Sequence, residues 1–253
     1  MTALPQRDYQ PVPLPERFRR PSLKVVHPPE EVELSAASLR VATNERLNFF
    51  THLAGFGISL LAGVLLFSQL GSLHDSWLGL SYVAYALTMC SVFGASTLSH
   101  GEYSAARREL FRTLDQVSIF LFMAATASPF LLTYCRHSFG CTLLGLTWCL
   151  ALGGVATKLF VTKERIVPVW YYIALGWVPS VALLDFADDL GMVGFSLILV
   201  SGLGFMVGTW FLCNDHKAHW YHAVWHLLVI FAAACQFAAI YSVVLPAGQG
   251  LSL

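Results

Sequence analysis

Charge is what this sequence has least of. Asp, Glu, Lys and Arg make up 12% of its 253 residues, about half the roughly 25% of a soluble globular domain, whereas its apolar share of 56% exceeds the usual value of about 45–50%. Something other than water must solvate such a chain. The formal net charge is zero, and the basic residues form no stripe interleaved with exposed aromatics, which excludes nucleic acid as an expected partner. No internal repeat recurs at a fixed period. No cleavable signal peptide is expected, because no short apolar segment followed by small residues stands at the start, and the first span is expected to act as the insertion signal. The six cysteines contain no C-x-x-C pair. Cys90, Cys149, Cys213 and Cys235 lie in apolar runs and read as small buried hydrophobes. Cys135 and Cys141 flank one short loop and could form a disulfide where that loop faces an oxidising compartment.

What the chain has in abundance is long apolar runs. About 20 apolar residues in a helix span a hydrocarbon core of about 30 Å, and seven such runs occur, at 49–70, 77–99, 116–134, 139–157, 166–184, 190–213 and 220–245. The fifth is the shortest and carries Pro168 and Pro179. Pro168 sits where a helix would start, and a membrane helix can kink at a second proline if neighbours satisfy the freed carbonyl. The expected fold is therefore all-α, a seven-transmembrane helix bundle over 45–245. Residues 1–44, rich in proline and mixed charge, read as a disordered cytoplasmic tail. Residues 246–253 read as a short exoplasmic tail.

Orientation follows from the excess of Lys and Arg on the cytoplasmic side of short loops. Seven basic residues from Arg7 to Arg46 precede the first span; Arg107, Arg108 and Arg112 follow the second; Lys158, Lys163 and Arg165 follow the fourth; Lys217 follows the sixth. Only Arg136 falls on the other side. An odd number of spans then places the N-terminus in the cytoplasm and the C-terminus outside.

Ionisable residues within spans are costly in lipid and functional by default, and here they converge. His52 lies one turn into the first span, His100 closes the second, Asp115 opens the third, and His222 with His226 opens the seventh. All fall at the expected cytoplasmic end. His222 and His226, four apart on a helix, project from one face at a spacing that lets two side chains share an ion. His100 would supply a third nitrogen. Three protein ligands with one open position describe a catalytic zinc site. Asp115, at a helix start, could orient a water or take its proton. Ser96, one turn before His100, could donate to a substrate or bond back to its own helix. His219 lies seven residues before His226 and is a rival ligand; His27, His74, His137 and His216, in water-facing segments, are expected to have no special role.

These residues resemble a known family. The run Glu45 to His52, then Ser96-Thr97-Leu98-Ser99-His100, then Leu114-Asp115, then His222-Ala223-Val224-Trp225-His226 are similar in order and spacing to the signatures of the haemolysin III family, which groups with the progestin and adipoQ receptors (PAQR) and more distantly with alkaline ceramidases. The resemblance implies His100, His222 and His226 as zinc ligands, with Asp115 and Ser96 beside them as the catalytic pair. It also implies that Glu45, Asn48 and His52 hold the first helix against the site without touching the metal. The chain departs from the family pattern at Ser99, where tyrosine is usual, at Gln116, where histidine is usual, and at Thr126-Ala127-Ser128-Pro129 in place of T-Y-T-P.

Three function classes follow. The first is a zinc-dependent hydrolase acting on a membrane lipid, a ceramide-like amide or an acyl ester, that enters from the cytoplasmic leaflet. The second is a receptor or membrane-homeostasis sensor in which zinc ties helices together. The third is a pore-forming cytolysin, which would need a hydrophilic stripe along several helices; the spans are almost wholly apolar away from one end, which ranks it last.

Overall fold

The computed structural model describes residues 29–161 and 168–251, with side chains from Thr43 onward. The chain divides into Met1–Leu39 and Arg40–Leu253, and the fold considered below is that of the second unit. Among the described residues every regular element is helical: α1 (Pro29–Gln69), α2 (Ser76–Gly101), α3 (Ala105–Tyr134), α4 (Ser138–Ala156), α5 (Val169–Ser180), α6 (Leu183–Cys213), α7 (Tyr221–Ala239) and a last turn, α8 (Leu245–Gly248). α1 begins at Pro29, ahead of the boundary at 45 drawn from composition. Most of the proline-rich tail, 1–28, lies outside the described residues, as does the end of the expected C-terminal tail at 252–253.

Among the described residues, six helical segments are long and apolar enough to cross a membrane: Thr43–Ser72, Ser76–Gly101, Ala105–Tyr134, Ser138–Val161, Leu183–Cys213 and Tyr221–Gly248. The run at 166–184 does not join them. It folds as the 12-residue α5, which at 1.5 Å per residue is about 18 Å long. Pro168 caps its start and Pro179 lies in its last turn, where the short-range bonds from Val181 N–H to Val178 and from Ala182 N–H to Pro179 tighten and end it. Apolar length alone overstated this helix, because proline supplies no N–H with which to continue the ladder.

The outer faces of the helices carry large apolar side chains with no protein cover, such as Leu61 and Val64 on α1 and Leu199, Leu203 and Val207 on α6. A water-soluble surface rarely exposes such continuous patches; lipid solvates them without cost. Trp77, Trp170, Trp210 and Trp220 stand exposed near helix ends, where amphipathic rings sit at the membrane–water boundary. Inside, α2 buries Tyr82, Tyr85, Met89, Phe93 and Ser96, a stripe at helical spacing packed chiefly on α3. Several hydroxyls within spans bond back to their own helix, as Thr97 Oγ1 donating to the Phe93 carbonyl at 2.7 Å and Thr126 Oγ1 donating to the Phe122 carbonyl at 2.7 Å.

Helix ends are fixed by polar contacts. Asp75 caps α2 by accepting from the backbone N–H groups of Trp77 at 2.8 Å and Leu78 at 3.2 Å, and its other oxygen pairs with Arg136. At the far end of α2, the Glu102 carboxylate accepts from the Ser104 N–H at 2.8 Å and from Arg107 at 3.1 Å. The Ser104 N–H, helped by the Arg107 charge, holds the Glu102 carboxyl below its ordinary range. This turn sets α3 beside α2 and brings the end of one to the start of the other.

Candidate metal centre

At this end α1 and α7 each offer a turn-spaced set of polar residues. On α1, Glu45, Asn48 and His52 follow at three and four residues and so share a face. Asn48 and His52 are buried, His52 to 4% exposure. Gly55 allows this approach: a Cβ there would stand 2.9 Å from a Phe93 ring carbon and 3.0 Å from Ile230, so the bare backbone lets α1 settle between α2 and α7 one turn beyond His52. On α7, Ala223, His226, Val229, Ala232 and Ala233 form the buried stripe, which turns His226 inward at 2% exposure and carries His222 one turn earlier.

His100, His222 and His226 come together, each with a ligand nitrogen within 4.8 Å of the others'. Ring centroids are 4.6 Å apart for His222 and His226, 5.0 Å for His100 and His226, and 5.5 Å for His100 and His222. His219, the rival ligand, is exposed and lies outside this group.

Each of the three rings has its Nδ1 engaged from outside the group. His100 Nδ1 is 2.8 Å from Glu45 Oε2, and His222 Nδ1 is 3.1 Å from Asp215 Oδ2. His226 Nδ1 is 3.3 Å from Thr51 Oγ1; that hydroxyl donates to the Asn48 carbonyl at 2.9 Å, which leaves its lone pair to accept. Three acceptors on three Nδ1–H groups assign one tautomer to all three rings and leave each Nε2 with a lone pair.

The remaining expected residues surround this core. His52 packs its ring 3.8 Å from that of His226 and 6.5 Å from that of His100; neither of its nitrogens has a hydrogen-bond partner, and it is not among the three that share a ligand position. The Asp115 carboxyl meets the Ser96 hydroxyl on α2, but it does so from about three turns inside α3, which starts at Ala105 and not at the apolar run, so the residue is not at the helix start expected from the sequence. It too stands outside the ligand group. Tyr172 of α5 lies close enough to Asp115 to feel its charge, with its buried hydroxyl unpartnered and its ring stacked on Phe120 at 4.5 Å.

Three of these residues escaped the sequence reading. Asp215 sits in a loop, seven residues before His222, a spacing that a loop does not translate into proximity. Thr51 lies inside the α1 motif, but a threonine in a span reads by default as bonding to its own helix, which it also does. Tyr172 falls in the short α5, where only the packing of α5 on α3 brings it near Asp115.

Known proteins share most of the length of this chain. Residues 40–237 match the family described as haemolysin-III related. The chain is 33% identical over 203 residues to Hemolysin-3 of Bacillus cereus, covering 80% of this chain and 92% of that protein. It belongs to the haemolysin III family. The Hemolysin-3 homolog of Bacillus subtilis (strain 168) is 31% identical over 194 residues, 76% of this chain and 91% of its own. The human monocyte to macrophage differentiation factor is 25% identical over 200 residues, 77% of this chain and 82% of its own, which extends the likeness to the progestin and adipoQ receptor relatives. This haemolysin III chain is a multi-pass membrane protein, and the match runs through every helix that supplies the histidine group.

Proposed function

We propose that His100, His222 and His226 hold one zinc ion through their Nε2 atoms, and that the site hydrolyses an amide or ester of a membrane lipid. The observation that carries this reading is the outward tie on every Nδ1. Ligand histidines characteristically donate their second nitrogen to a carboxylate or other acceptor, which fixes ring and tautomer and raises basicity, and here Glu45, Asp215 and Thr51 each occupy that place. Three neutral imidazoles without sulfur fit zinc and leave a fourth position open. Zinc bound there supplies a Lewis acid and activates water near neutral pH.

The protein's own groups complete the chemistry. Asp115 stands at the depth of the histidines but outside their group, so its carboxylate is placed to take a proton from the nucleophile and return it to the leaving amine or alkoxide. Ser96 holds the Asp115 carboxyl through its hydroxyl, and His52 closes the apolar side of the group by packing on His226. The substrate is taken to be a ceramide-like or acyl lipid, reaching the site between helices whose outer faces lipid already solvates.

The site also bears on how the chain crosses the membrane. His52 near the start of the first span contacts His226 near the start of α7, so the chain between them must return to the end from which it set out. That needs an even number of crossings before α7, which favours counting the short α5 as a crossing and supports seven in all. With the basic residues gathered at this end, we place the N-terminus and the metal group on the cytoplasmic side and the C-terminus outside.

The test is hydrolysis by purified, zinc-loaded protein in lipid nanodiscs containing ceramide or a fluorescent acyl lipid. Asp115→Asn keeps shape and a hydrogen bond while removing the base, so zinc content should hold while the rate falls about 10²-fold or more. Loss of zinc in that variant would make Asp115 a ligand. A second reading, a zinc-tied sensor without catalysis, is favoured by the direct ties of α1 to α2 through Glu45 and to α7 through Thr51; it gains if zinc-loaded protein hydrolyses none of these lipids.

A further inference from the structure

At the opposite end of α3, about 30 Å from Asp115 along 20 helical residues, a second group of mixed donors comes together. Cys135 follows the last turn of α3, its N–H bonded to the Leu131 carbonyl. His137 precedes α4 in the N-cap position, but its side chain makes no capping bond. Asp185 lies in the first turn of α6. One ligand atom from each, a thiol sulfur, an imidazole nitrogen and a carboxylate oxygen, lies within 4.8 Å of the others.

Several features build this cluster. The segment carrying Asp185 is set off from the rest of α6 by Phe186 at φ −127°, ψ 16° and by Gly191 at φ +61°, a left-handed conformation that glycine adopts at no steric cost. Phe186 is buried and stacks on Tyr134 at 5.3 Å with the rings 11° apart, which pins that segment to the end of α3. Cys135 is 1% exposed and unbridged, with Cys141 also a free thiol. His137 and Asp185 are about half exposed, with Nε2 and Oδ2 3.8 Å apart. That is long for a hydrogen bond, so an ion pair alone does not account for the arrangement, and it leaves the thiol unexplained. Arg136, the neighbouring cation, is taken up by Asp75.

We infer that Cys135, His137 and Asp185 form a second metal site, with a donor set that suits zinc. Thiolate and imidazole disfavour magnesium and calcium, which take oxygen ligands. A tetrahedral zinc with bonds of about 2.0–2.3 Å sets its ligands about 3.5 Å apart, so the group must close by about 1 Å, which the two exposed side chains can supply while the buried cysteine stays fixed. Thiolate and carboxylate together neutralise the divalent charge, and three ligands leave one position for water. The bound ion would join the ends of α3, α4 and α6, which no other metal-ligating group among the described residues does.

Cobalt titration of the reduced, metal-free full-length protein in detergent separates this site from the histidine group, because only a thiolate ligand gives an intense near-ultraviolet sulfur-to-cobalt charge-transfer band. The band should saturate at one equivalent, be displaced by zinc, survive in the His222→Ala, His226→Ala double variant, and vanish in Cys135→Ser. His137→Ala and Asp185→Asn alter exposed side chains that the fold does not need. They should weaken cobalt binding at this band at least 10-fold, and they carry the test if Cys135→Ser does not fold. No band in the wild type, a band that persists in Cys135→Ser, or unchanged affinity in both exposed-residue variants would overturn the site.

Discussion

The two ends of the bundle bring donors together by different means. At the histidine end the ligands sit within helices, His222 and His226 one turn apart on α7 and His100 at the close of α2, and each ring is steadied from outside by Glu45, Asp215 or Thr51. At the other end Cys135, His137 and Asp185 stand at helix boundaries, and none has an outward hydrogen bond that fixes a ligand geometry. The first arrangement is preorganised, so that an ion finds three lone pairs already converging. The second has one buried donor and two exposed ones, and must close on its ion. Preorganised sites lose less freedom on binding and hold their ligands more tightly, so the difference predicts a tight site at one end and a weaker, exchangeable one at the other.

Substitutions that remove the outward ties should break that contrast. Glu45→Gln and Asp215→Asn keep the shapes but weaken the acceptors on His100 and His222, and each should lower zinc affinity at the histidine group by about 10–100-fold, read by competition with a chromophoric chelator. Neither should move the cobalt–thiolate band at the other end; a shift there would mean that the two ends are not independent. Thr51→Val removes a neutral acceptor, so its effect on zinc should be smaller, under about 10-fold on the scale of a net hydrogen bond of about 0.5–1.5 kcal/mol.

Gly55→Val tests the packing that brings α1 to the site. The added carbons meet Phe93 and Ile230, and overpacking of this kind costs about 1–3 kcal/mol. Thermal unfolding in detergent should show the loss. Zinc affinity should fall less than in Glu45→Gln, because α2 and α7, which carry the ligands, pack on other neighbours as well.

The contrast between the ends also explains what could be read from the sequence. His222 and His226 are legible because a helix turns a spacing of four into a shared face, and His100 because it closes a span; Asp115 is legible only as the acid that bounds an apolar run, since the helix that carries it starts earlier, at Ala105. Glu45 and His100 are 55 residues apart, and only the family signature suggested that they work together. Asp215 was not legible, since no periodicity governs a loop. In the sequence His137 reads as one histidine in a water-facing segment; its relation to Cys135 and Asp185 depends on the bend at Phe186 and Gly191, which no hydropathy pattern encodes. The length of α5 was overstated for a related reason. Hydropathy runs through Pro168 and Pro179 without a break, whereas the backbone ladder does not.

Whether three histidines hold one ion is tested most directly by zinc content measured in a Cys135→Ser background, which removes the thiolate site from the count. The purified protein should then carry about one zinc per chain, and adding His222→Ala and His226→Ala should bring it close to none. Stoichiometric zinc retained after both histidines are gone would contradict the assignment and place the metal elsewhere in the bundle.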